Sequence, residues 1–431
     1  MHILIVGATG FIGSHLAAAL HRQGHSITAA GRGTEDARRR APDFNWIACD
    51  FRHDSAADWQ PRLAGIDAVI NCVGVLQDGL GDDSRAAHVD GAAALFAACA
   101  EAGVRRVIHI SAVGADAASG SAYARDKQDG EAALTALDLD WVILRPSLVI
   151  ARNVYGGTAL VRALCGIPWL TPLVGGSQVF RPIGVEDLSA AVGDLLRPDA
   201  PSRVSWDVGG PQRVSMDELV RGYRRWLGFG ATRIWHVPRW LAAIGFGCGD
   251  VLGWVGVRTS MRTTALKQLD FDVEGDPSDW IAAMGTAPRG FDAYLASAPA
   301  GLQDRWHARL GFARPVARWV LGLYWLATGI LSLTIARGDA YSVLQAAGYE
   351  PAMQTFLLWF GSAFDIALGL AMLAKWRVRL ISAVMIAGTF AYIAALSLTL
   401  PGLWADALGP ILKVFPMMGL ALMIAATEDE R

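Results

Sequence analysis

The stretch His2-Ile3-Leu4-Ile5-Val6-Gly7-Ala8-Thr9-Gly10-Phe11-Ile12-Gly13 decides the fold of the first half of this chain. Its opening apolar run is typical of a buried strand, and a helical pattern follows the third glycine. Glycines at such a turn let backbone N–H groups approach a pyrophosphate, and the N-terminus of the helix adds partial positive charge. The pattern therefore predicts a phosphate-binding turn at Gly7, Gly10 and Gly13.

Further short apolar runs alternate with helical stretches along the first half of the chain. The runs cover residues 26–30, 46–48, 68–70, 107–110 and 141–144. This alternation predicts an α/β fold, a Rossmann-type doubly wound parallel sheet with helices on both faces. Such a sheet binds a dinucleotide at the carboxyl ends of its strands.

Arg32 follows the second of these strands, in the sequence Gly31-Arg32-Gly33. Near this point an acidic residue would bind the ribose 2′-hydroxyl of NAD, whereas an arginine suits the 2′-phosphate of NADP. Arg32 therefore favours NADP as the cofactor over NAD. The alternative is that Arg32 is an ordinary solvated surface residue.

Tyr123 and Lys127 are four residues apart at the start of a predicted helix, which places them on one helix face. A phenol has an unperturbed pKa of about 10, so it needs a neighbouring cation to exchange a proton near neutral pH. Lys127 can supply that charge and hold the cofactor ribose. Ser111, which directly follows the strand at residues 107–110, can polarise a carbonyl group.

The alternatives without a catalytic role are an exposed helix that happens to carry a lysine, and a serine that only ends a strand. With eight tyrosines and four lysines in the chain, about 0.07 such tyrosine–lysine pairs are expected by chance. The position of the pair after a strand of a glycine-rich nucleotide fold lowers this expectation further. We therefore interpret Tyr123, Lys127 and Ser111 as the catalytic residues.

These motifs together resemble the short-chain dehydrogenase/reductase superfamily. The likeness rests on the glycine turn, on Asp50-Phe51 and Asn71-Cys72-Val73-Gly74 after the third and fourth strands, and on Tyr123 with Lys127. The segment Leu144-Arg145-Pro146-Ser147 is similar to the extended and atypical branches, above all the NAD(P)-binding accessory subunit of respiratory complex I and its bacterial relatives. The likeness covers about residues 1–300.

The resemblance implies a cofactor site and a smaller substrate lobe at residues 151–300. It places Asp50 near the adenine and Gly74 near the nicotinamide ribose. The cofactor-binding residues that it implies are Gly7, Thr9, Gly10, Phe11, Ile12, Gly13, Arg32, Asp50, Phe51, Asn71, Gly74, Lys127 and Pro146. The serine and tyrosine are closer together than in most sugar-nucleotide epimerases and dehydratases of this superfamily.

Four charge-poor runs in the last third of the chain predict membrane spans. They cover residues 319–336, 351–374, 380–405 and 407–427, and contain only two charged residues, Asp365 and Lys413. Each run has close to or more than the ~20 residues that a bilayer crossing needs. We expect an all-α, four-helix transmembrane domain at residues 315–427, which resembles DoxX-like domains. The apolar segment at residues 240–257 is interpreted as an interfacial or substrate-lobe helix, with a fifth span as the alternative.

Basic residues flank these runs unevenly, which predicts the orientation of the chain. The positive-inside rule puts residues 1–315 and the C-terminus in the cytoplasm, as in a multi-pass protein of the cytoplasmic (inner) membrane. We expect Asp365 to face the interior of the bundle, because a charge among lipid tails is costly. Lys413 is expected to snorkel to the nearby interface. The flanking residues are Arg305, Arg309, Arg314 and Arg318, then Lys375, Arg377 and Arg379.

Composition limits the remaining classes of function. Hydrophobic residues make up 53% of the 431-residue chain and charged residues 18%, which excludes intrinsic disorder and argues against a wholly soluble protein. The net charge of −2 provides no general basic field for nucleic acid. Five scattered cysteines without a C-x-x-C pair indicate buried thiols, so no metal site is predicted. The N-terminus lacks the basic region of a cleaved signal peptide.

Three functions fit these observations. The first is a membrane-tethered NADP-dependent oxidoreductase that acts on a carbonyl or hydroxyl of a lipophilic, quinone-like or other, small molecule. The second is a non-catalytic assembly or redox-sensing protein that binds NADP(H) beside a membrane-protein partner. A sugar-nucleotide epimerase or dehydratase ranks last, because of the short separation of Ser111 and Tyr123.

Overall fold

The fold is taken from a computed structural model, which describes residues 1–75, 83–114, 122–254, 263, 273–406 and 409–428. Within helix 239–254 the side chains of residues 248 and 251–254 are outside this description. The chain divides into two compact units, Met1–Ala308 and Arg309–Arg431. Each unit is described by itself.

A seven-stranded, wholly parallel sheet forms the centre of the first unit, in the order β3-β2-β1-β4-β5-β6-β11. This order confirms the predicted doubly wound α/β fold. The order in which successive strands are added reverses between β1 and β4, with β2 and β3 on one side and β4 to β6 on the other. At such a point a parallel sheet opens a ligand crevice at the carboxyl ends of its strands. The strands are β1 (His2–Val6), β2 (Ser26–Gly31), β3 (Asn45–Ala48), β4 (Ala68–Asn71), β5 (Arg106–Ile110), β6 (Asp140–Pro146) and β11 (Val204–Val208).

Helices cover both faces of this sheet, which explains why its strands are apolar without alternation. On β1, Ile3 and Ile5 belong to one core cluster and Leu4 to another, and all three are fully buried. The helices of the first unit are α1 (Phe11–Arg22), α2 (Thr34–Arg40), α3 (Ala56–Trp59), α4 (Gly91–Ala102), α5 (Ala122–Thr135), α6 (Gly156–Cys165), α7 (Val185–Asp194), α8 (Met216–Trp226), α9 (Arg239–Trp254), α10 (Ser278–Met284) and α11 (Phe291–Ser297).

The segment after residue 150 builds a smaller lobe but also returns to the main sheet. Strand β11, within the predicted lobe, pairs in parallel with β6. The lobe has its own core around Leu219, Tyr223 and Phe291. Its short strands pair as β7 (Val149–Ile150) with β10 (Ile183–Gly184), β9 (Val179–Phe180) with β12 (Val214–Ser215), and β8 (Leu170–Val174) with β13 (Arg233–Val237).

Three helices of the C-terminal region are long and apolar enough to cross a membrane: Leu302–Leu333, Pro351–Leu373 and Val378–Thr399. The fourth predicted span is shorter than expected. Its α-helix, Phe415–Thr427, has 13 residues and follows a 3-10 turn at Leu412–Val414. In chain order the helices of this region are α12 (Leu302–Leu333), α13 (Arg337–Ala346), α14 (Pro351–Leu373), α15 (Val378–Thr399) and α16 (Phe415–Thr427).

The two remaining apolar features of the prediction are only partly described. Helix α9 covers most of the segment 240–257, but residues 255–257 lie outside the described residues, as do residues 407–408 of the fourth run. Four cysteines are free thiols, of which Cys49, Cys99 and Cys165 are buried, and the side chain of Cys248 is not described.

Candidate functional site

The glycine turn brings the first strand and first helix closer together than any side chain would allow. Gly7 has a φ of 81°, in the left-handed region, and a Cβ there would lie 2.9 Å from the carbonyl carbon of Cys72. A Cβ on Gly13 would lie 2.3 Å from the carbonyl oxygen of Gly7. The turn therefore requires glycine at both positions, because the neighbouring atoms belong to the backbone.

The N-terminus of α1 is open to an anion. Gly10 is the N-cap residue, no side chain caps it, and the first turn contains no acidic residue. The backbone N–H groups of Phe11, Ile12 and Gly13 are the orphan donors that every helix start exposes, and the exposed Thr9 lies beside them. This turn fits a pyrophosphate, because free donors and the helix dipole both favour negative charge there.

Arg32 and Asp50 lie together at the carboxyl ends of β2 and β3. Arg52 donates from Nε to Oδ1 of Asp50 at 2.9 Å, and this bond, with a contribution from the charge of Arg32, lowers the pKa of Asp50 to about 2. The exposed Arg32 thus stands where a 2′-phosphate is expected.

Phe51 is not part of this edge through its side chain. The ring is only 7% exposed and packs edge-on against Trp59, with Gly91 against its Cβ. The Phe51 side chain is thus held in the apolar core, and the contact of this residue with the cofactor stays a prediction.

Asn71 and Gly74 follow the carboxyl end of β4. Asn71 is 1% exposed, and its Oδ1 accepts a hydrogen bond of 3.0 Å from the backbone N–H of Val73. Gly74 is exposed, and a Cβ built there meets no atom within 4 Å among those described. Asn71 thus shapes the loop, while Gly74 leaves open space at the predicted nicotinamide end.

Tyr123 begins α5 half-buried, with its ring edge-on to His88 at a centroid distance of 5.5 Å. Burial raises the pKa of Tyr123 to about 12, so the lowering that we expected from Lys127 is not seen. His88 holds the loop after β4, because its Nε2 lies 2.8 Å from the carbonyl oxygen of Val75. His88 was missed by sequence reasoning, since no spacing rule connects it to Tyr123.

Lys127 and Ser111 meet at the carboxyl end of β5. Lys127 is 3% exposed, its Nζ donates to the carbonyl oxygen of Ile110 at 3.3 Å, and burial lowers its pKa to about 8. Ser111 is 5% exposed and its backbone N–H binds the carbonyl oxygen of Leu144 at 2.8 Å. The Ser111 hydroxyl has no hydrogen-bond partner in the part of the chain that the structure describes.

The strand that carries Pro146 adjoins this group. The carbonyl oxygen of Pro146, at the end of β6, accepts a hydrogen bond of 3.3 Å from the backbone N–H of Val113. An unpartnered buried hydroxyl is costly unless a ligand or water supplies the missing bond. Ser111 therefore marks this edge as a place where a polar ligand atom fits.

Polar contacts that sequence reasoning missed hold α5 against the sheet. Arg145 of β6 donates from Nε to Oε1 of Glu131 at 3.0 Å, one helical turn beyond Lys127. Ser84 donates to Asp126 at 2.7 Å. These contacts fix the helix that carries both Tyr123 and Lys127, and only three-dimensional packing reveals them.

Two protein families match separate parts of the chain. Residues 7–161 match a family described as NAD(P)H-binding. Residues 322–422 match the DoxX-like family. Each match covers less than half of the chain.

Curated relatives match about half of the chain. One is the mitochondrial NADH dehydrogenase [ubiquinone] 1 alpha subcomplex subunit 9 of Arabidopsis thaliana, 27% identical over 50% of this chain and 55% of that protein. Another is the ceramide reductase of Caulobacter vibrioides, 28% identical over 52% of this chain and 70% of that protein. The chain thus spans about half the length of the plant subunit.

Solved structures share the fold of the first unit. The Bordetella bronchiseptica enzyme WbmG, solved in complex with NAD, superposes with a TM-score of 0.53 and 19% identity over 71% of this chain and 94% of that chain. At this identity the likeness concerns the fold. Together with the glycine turn, the comparisons confirm the prediction of an N-terminal domain that binds NAD(P).

Proposed function

We propose that this chain, which joins an NAD(P)-binding Rossmann domain to a DoxX-like membrane domain, is an oxidoreductase that acts on a carbonyl or hydroxyl group of a lipophilic substrate. The observation that carries the proposal is the group at the carboxyl end of β5. There the hydroxyl of Ser111, which has no hydrogen-bond partner among the described residues, lies at the same strand end as the buried ammonium of Lys127. Lys127 shares a helix face with Tyr123.

Each of these residues has a definite task in the reaction. A bound nicotinamide supplies or accepts the hydride. Ser111 donates a hydrogen bond to the substrate oxygen, which stabilises the negative charge that develops there during reduction. Tyr123 transfers its proton to that oxygen, and Lys127 holds the cofactor ribose.

The protonation states of Tyr123 and Lys127 suit donation of a proton to the substrate oxygen. Because burial raises the pKa of Tyr123 to about 12, the phenol keeps its proton at neutral pH and is ready to donate it. Lys127, with its pKa lowered to about 8, is still mainly an ammonium ion at neutral pH. The charged Lys127 is then available to hold the cofactor ribose.

Several features support a lipophilic substrate. The small sheet of β8 and β13 and the adjoining α9 carry an exposed apolar patch, the kind of surface that meets membranes or apolar ligands. The relative from Caulobacter is named for reduction of a ceramide, which is a lipid. The patch consists of Trp169, Leu170, Trp235, Trp240, Leu241 and Ile244.

Cofactor preference, location and partners are part of the same proposal. Arg32 favours NADP over NAD, because its guanidinium suits a 2′-phosphate. The basic residues beside the apolar helices support a location of the nucleotide domain on the cytoplasmic side of an inner membrane. The lipid bilayer is thus the partner that this proposal requires.

A second candidate is a protein that binds NADP(H) without turnover and supports a membrane-protein partner. The similarity to a subunit of mitochondrial NADH dehydrogenase favours it. In this case Tyr123 and Ser111 would have no chemical task.

The test uses the full chain in lipid nanodiscs with NADPH and an N-acyl ketosphinganine, a long-chain ketone or UDP-glucose. We expect oxidation of NADPH with a lipid ketone and a loss of roughly 10²- to 10⁴-fold in Tyr123→Phe, with NADPH binding retained. Tyr223→Phe is the matched control, because that phenol lies in the core of the smaller lobe. Unchanged turnover in Tyr123→Phe would contradict the role proposed for Tyr123, and turnover of no ketone would favour the second candidate.

A further inference from the structure

The DoxX-like unit contains a cavity of about 160 Å³ between helices α12, α14, α15 and the chain around α16. Most of its wall is apolar, including Trp325, Met385 and Met417. One part of the wall is polar and includes Thr328 of α12, Asp365 of α14 and Tyr392 of α15. The cavity therefore combines an apolar wall with one carboxyl group.

The carboxyl group of Asp365 is only partly satisfied by the protein. Tyr392 donates from its hydroxyl to Oδ1 of Asp365 at 3.1 Å. The Thr328 hydroxyl lies 2.8 Å from the carbonyl oxygen of Trp325 but 3.5 Å from Oδ2 of Asp365. Because a hydroxyl has one proton and the nearer acceptor takes it, Oδ2 keeps capacity for another hydrogen bond.

A structural bond between helices does not explain this arrangement. The Tyr392–Asp365 bond joins α15 to α14, but such a bond requires no adjoining cavity. Cavities destabilise a packed core, and a carboxyl group at membrane depth is costly. The residues that line the cavity, all of them described, include no lysine, arginine or histidine that could neutralise Asp365.

The size and chemistry of the cavity define a class of ligand. An apolar cavity of about 150 Å³ in another protein accommodates benzene, so this cavity has room for one six-membered ring. A ring hydroxyl can donate to Oδ2 of an ionised Asp365 and can accept from a protonated one. A hydroxyl therefore satisfies the carboxyl group in either state, whereas a ketone fits only the protonated acid.

We propose that this cavity binds the hydroxylated ring of a neutral lipophilic molecule, with the ring against Trp325 and the methionines and the hydroxyl on Asp365. The site lies within the DoxX-like unit and needs no dinucleotide. Its existence is therefore independent of the function proposed for the first unit.

The test measures binding of para-fluorophenol and of fluorobenzene to the full chain in nanodiscs by fluorine NMR, without nucleotide. We expect saturable binding of both probes and an affinity at least tenfold higher for para-fluorophenol. Asp365→Leu is expected to abolish the preference for the phenol, and Asp365→Asn to reduce it. Asp339→Asn, which changes an acidic residue of α13 away from the cavity, is expected to keep it.

Two results would overturn the proposal. One is binding to wild-type protein that never saturates, which is what partition into lipid gives. The other is an equal preference for the phenol in wild type and in Asp365→Asn. The asparagine variant keeps the volume of the side chain, so this comparison stands even where Asp365→Leu fails to fold.

Discussion

Lys127 is the residue whose charge most directly connects stability to cofactor binding. Burial lowers its pKa from 10.5 to about 8, so between these pH values the folded protein binds fewer protons than the unfolded chain. Lys127 therefore destabilises the fold below pH 8, and this cost is relieved as pH rises towards 10.5. The same rise removes the ammonium ion that we propose holds the cofactor ribose.

We predict that the dissociation constant of NADPH rises severalfold as pH increases through about 8. Neighbouring groups do not titrate in this window, because burial raises the pKa of Cys72 and Tyr123 to about 12 and lowers that of His88 to about 3. Fluorescence titration with NADPH across this range checks the prediction. Lys127→Met should bind NADPH weakly, and its dissociation constant should show no step near pH 8. Lys375→Met should keep the step in the dissociation constant. A step that persists in Lys127→Met would contradict this assignment.

We expect Arg32 to determine which dinucleotide is preferred. Arg32→Ala removes a charge-assisted hydrogen bond worth about 1.5–3 kcal/mol, so NADPH affinity should fall roughly ten- to hundredfold. NADH affinity should change little. Calorimetric titration of both cofactors measures the difference, with Arg22→Ala, at the end of α1, as control. Equal losses for NADPH and NADH would show that Arg32 does not contact the 2′-phosphate.

The local sequence predicts the role of a single residue only where that role depends on its neighbours along the chain. The glycines of the first turn and the Tyr123–Lys127 spacing are of that kind. His88 is not, because it meets Tyr123 only after the loop after β4 has folded onto α5. The burial of Phe51 depends likewise on distant Trp59 and Gly91.

The position of helix α5 also depends on a close approach between Gly130 and a neighbouring backbone segment. A Cβ on Gly130 would lie 2.1 Å from the carbonyl oxygen of His88, in the short π-helix at Ala86–Asp90. Gly130 thus allows α5 to pack tightly enough to present Tyr123 and Lys127. An alanine there would push α5 away from this π-helix.

We predict that Gly130→Ala lowers the free energy of unfolding by about 1–3 kcal/mol, although alanine is the better helix former. NADPH binding should weaken as well, because Lys127 moves with the helix. Gly245→Ala in α9 is the matched control, since its new Cβ meets nothing within 4 Å. Thermal unfolding of both variants measures the change in stability. A Gly130→Ala protein that is more stable than wild type would contradict the close packing of α5 at this position.

The helices and strands differ in how well their local sequences predict them. The strands of the first half are apolar on both faces, so hydrophobicity alone locates them. Strand β11, Val204–Val208, is not predicted, because serine and aspartate interrupt its apolar sequence. Its pairing with β6 joins residues that are far apart along the chain. The last apolar run predicts a full span, but the helix begins only at Phe415, so Lys413 lies in the turn before it and is exposed.

For the whole molecule, the uneven basic residues predict that the nucleotide domain and the C-terminus lie on the same side of the membrane. Alkaline phosphatase, which is active only outside the cytoplasm, should be active when inserted after Gly348 and inactive when fused after Arg431. Activity at the second site would mean that α16, with its 13 residues, does not cross. The reporter thus also tests the number of spans.

The proposed function requires hydride transfer between a dinucleotide at the carboxyl end of β5 and a lipid carbonyl. The most direct test incubates the full chain in nanodiscs with NADPH that carries deuterium at the transferable position of the nicotinamide and with an N-acyl ketosphinganine. Mass spectrometry should find deuterium on the carbinol carbon of the lipid product, and Tyr123→Phe should lose this transfer while still binding NADPH. A lipid ketone that stays unreduced by protein saturated with NADPH, or equal labelling by wild type and Tyr123→Phe, would contradict the account.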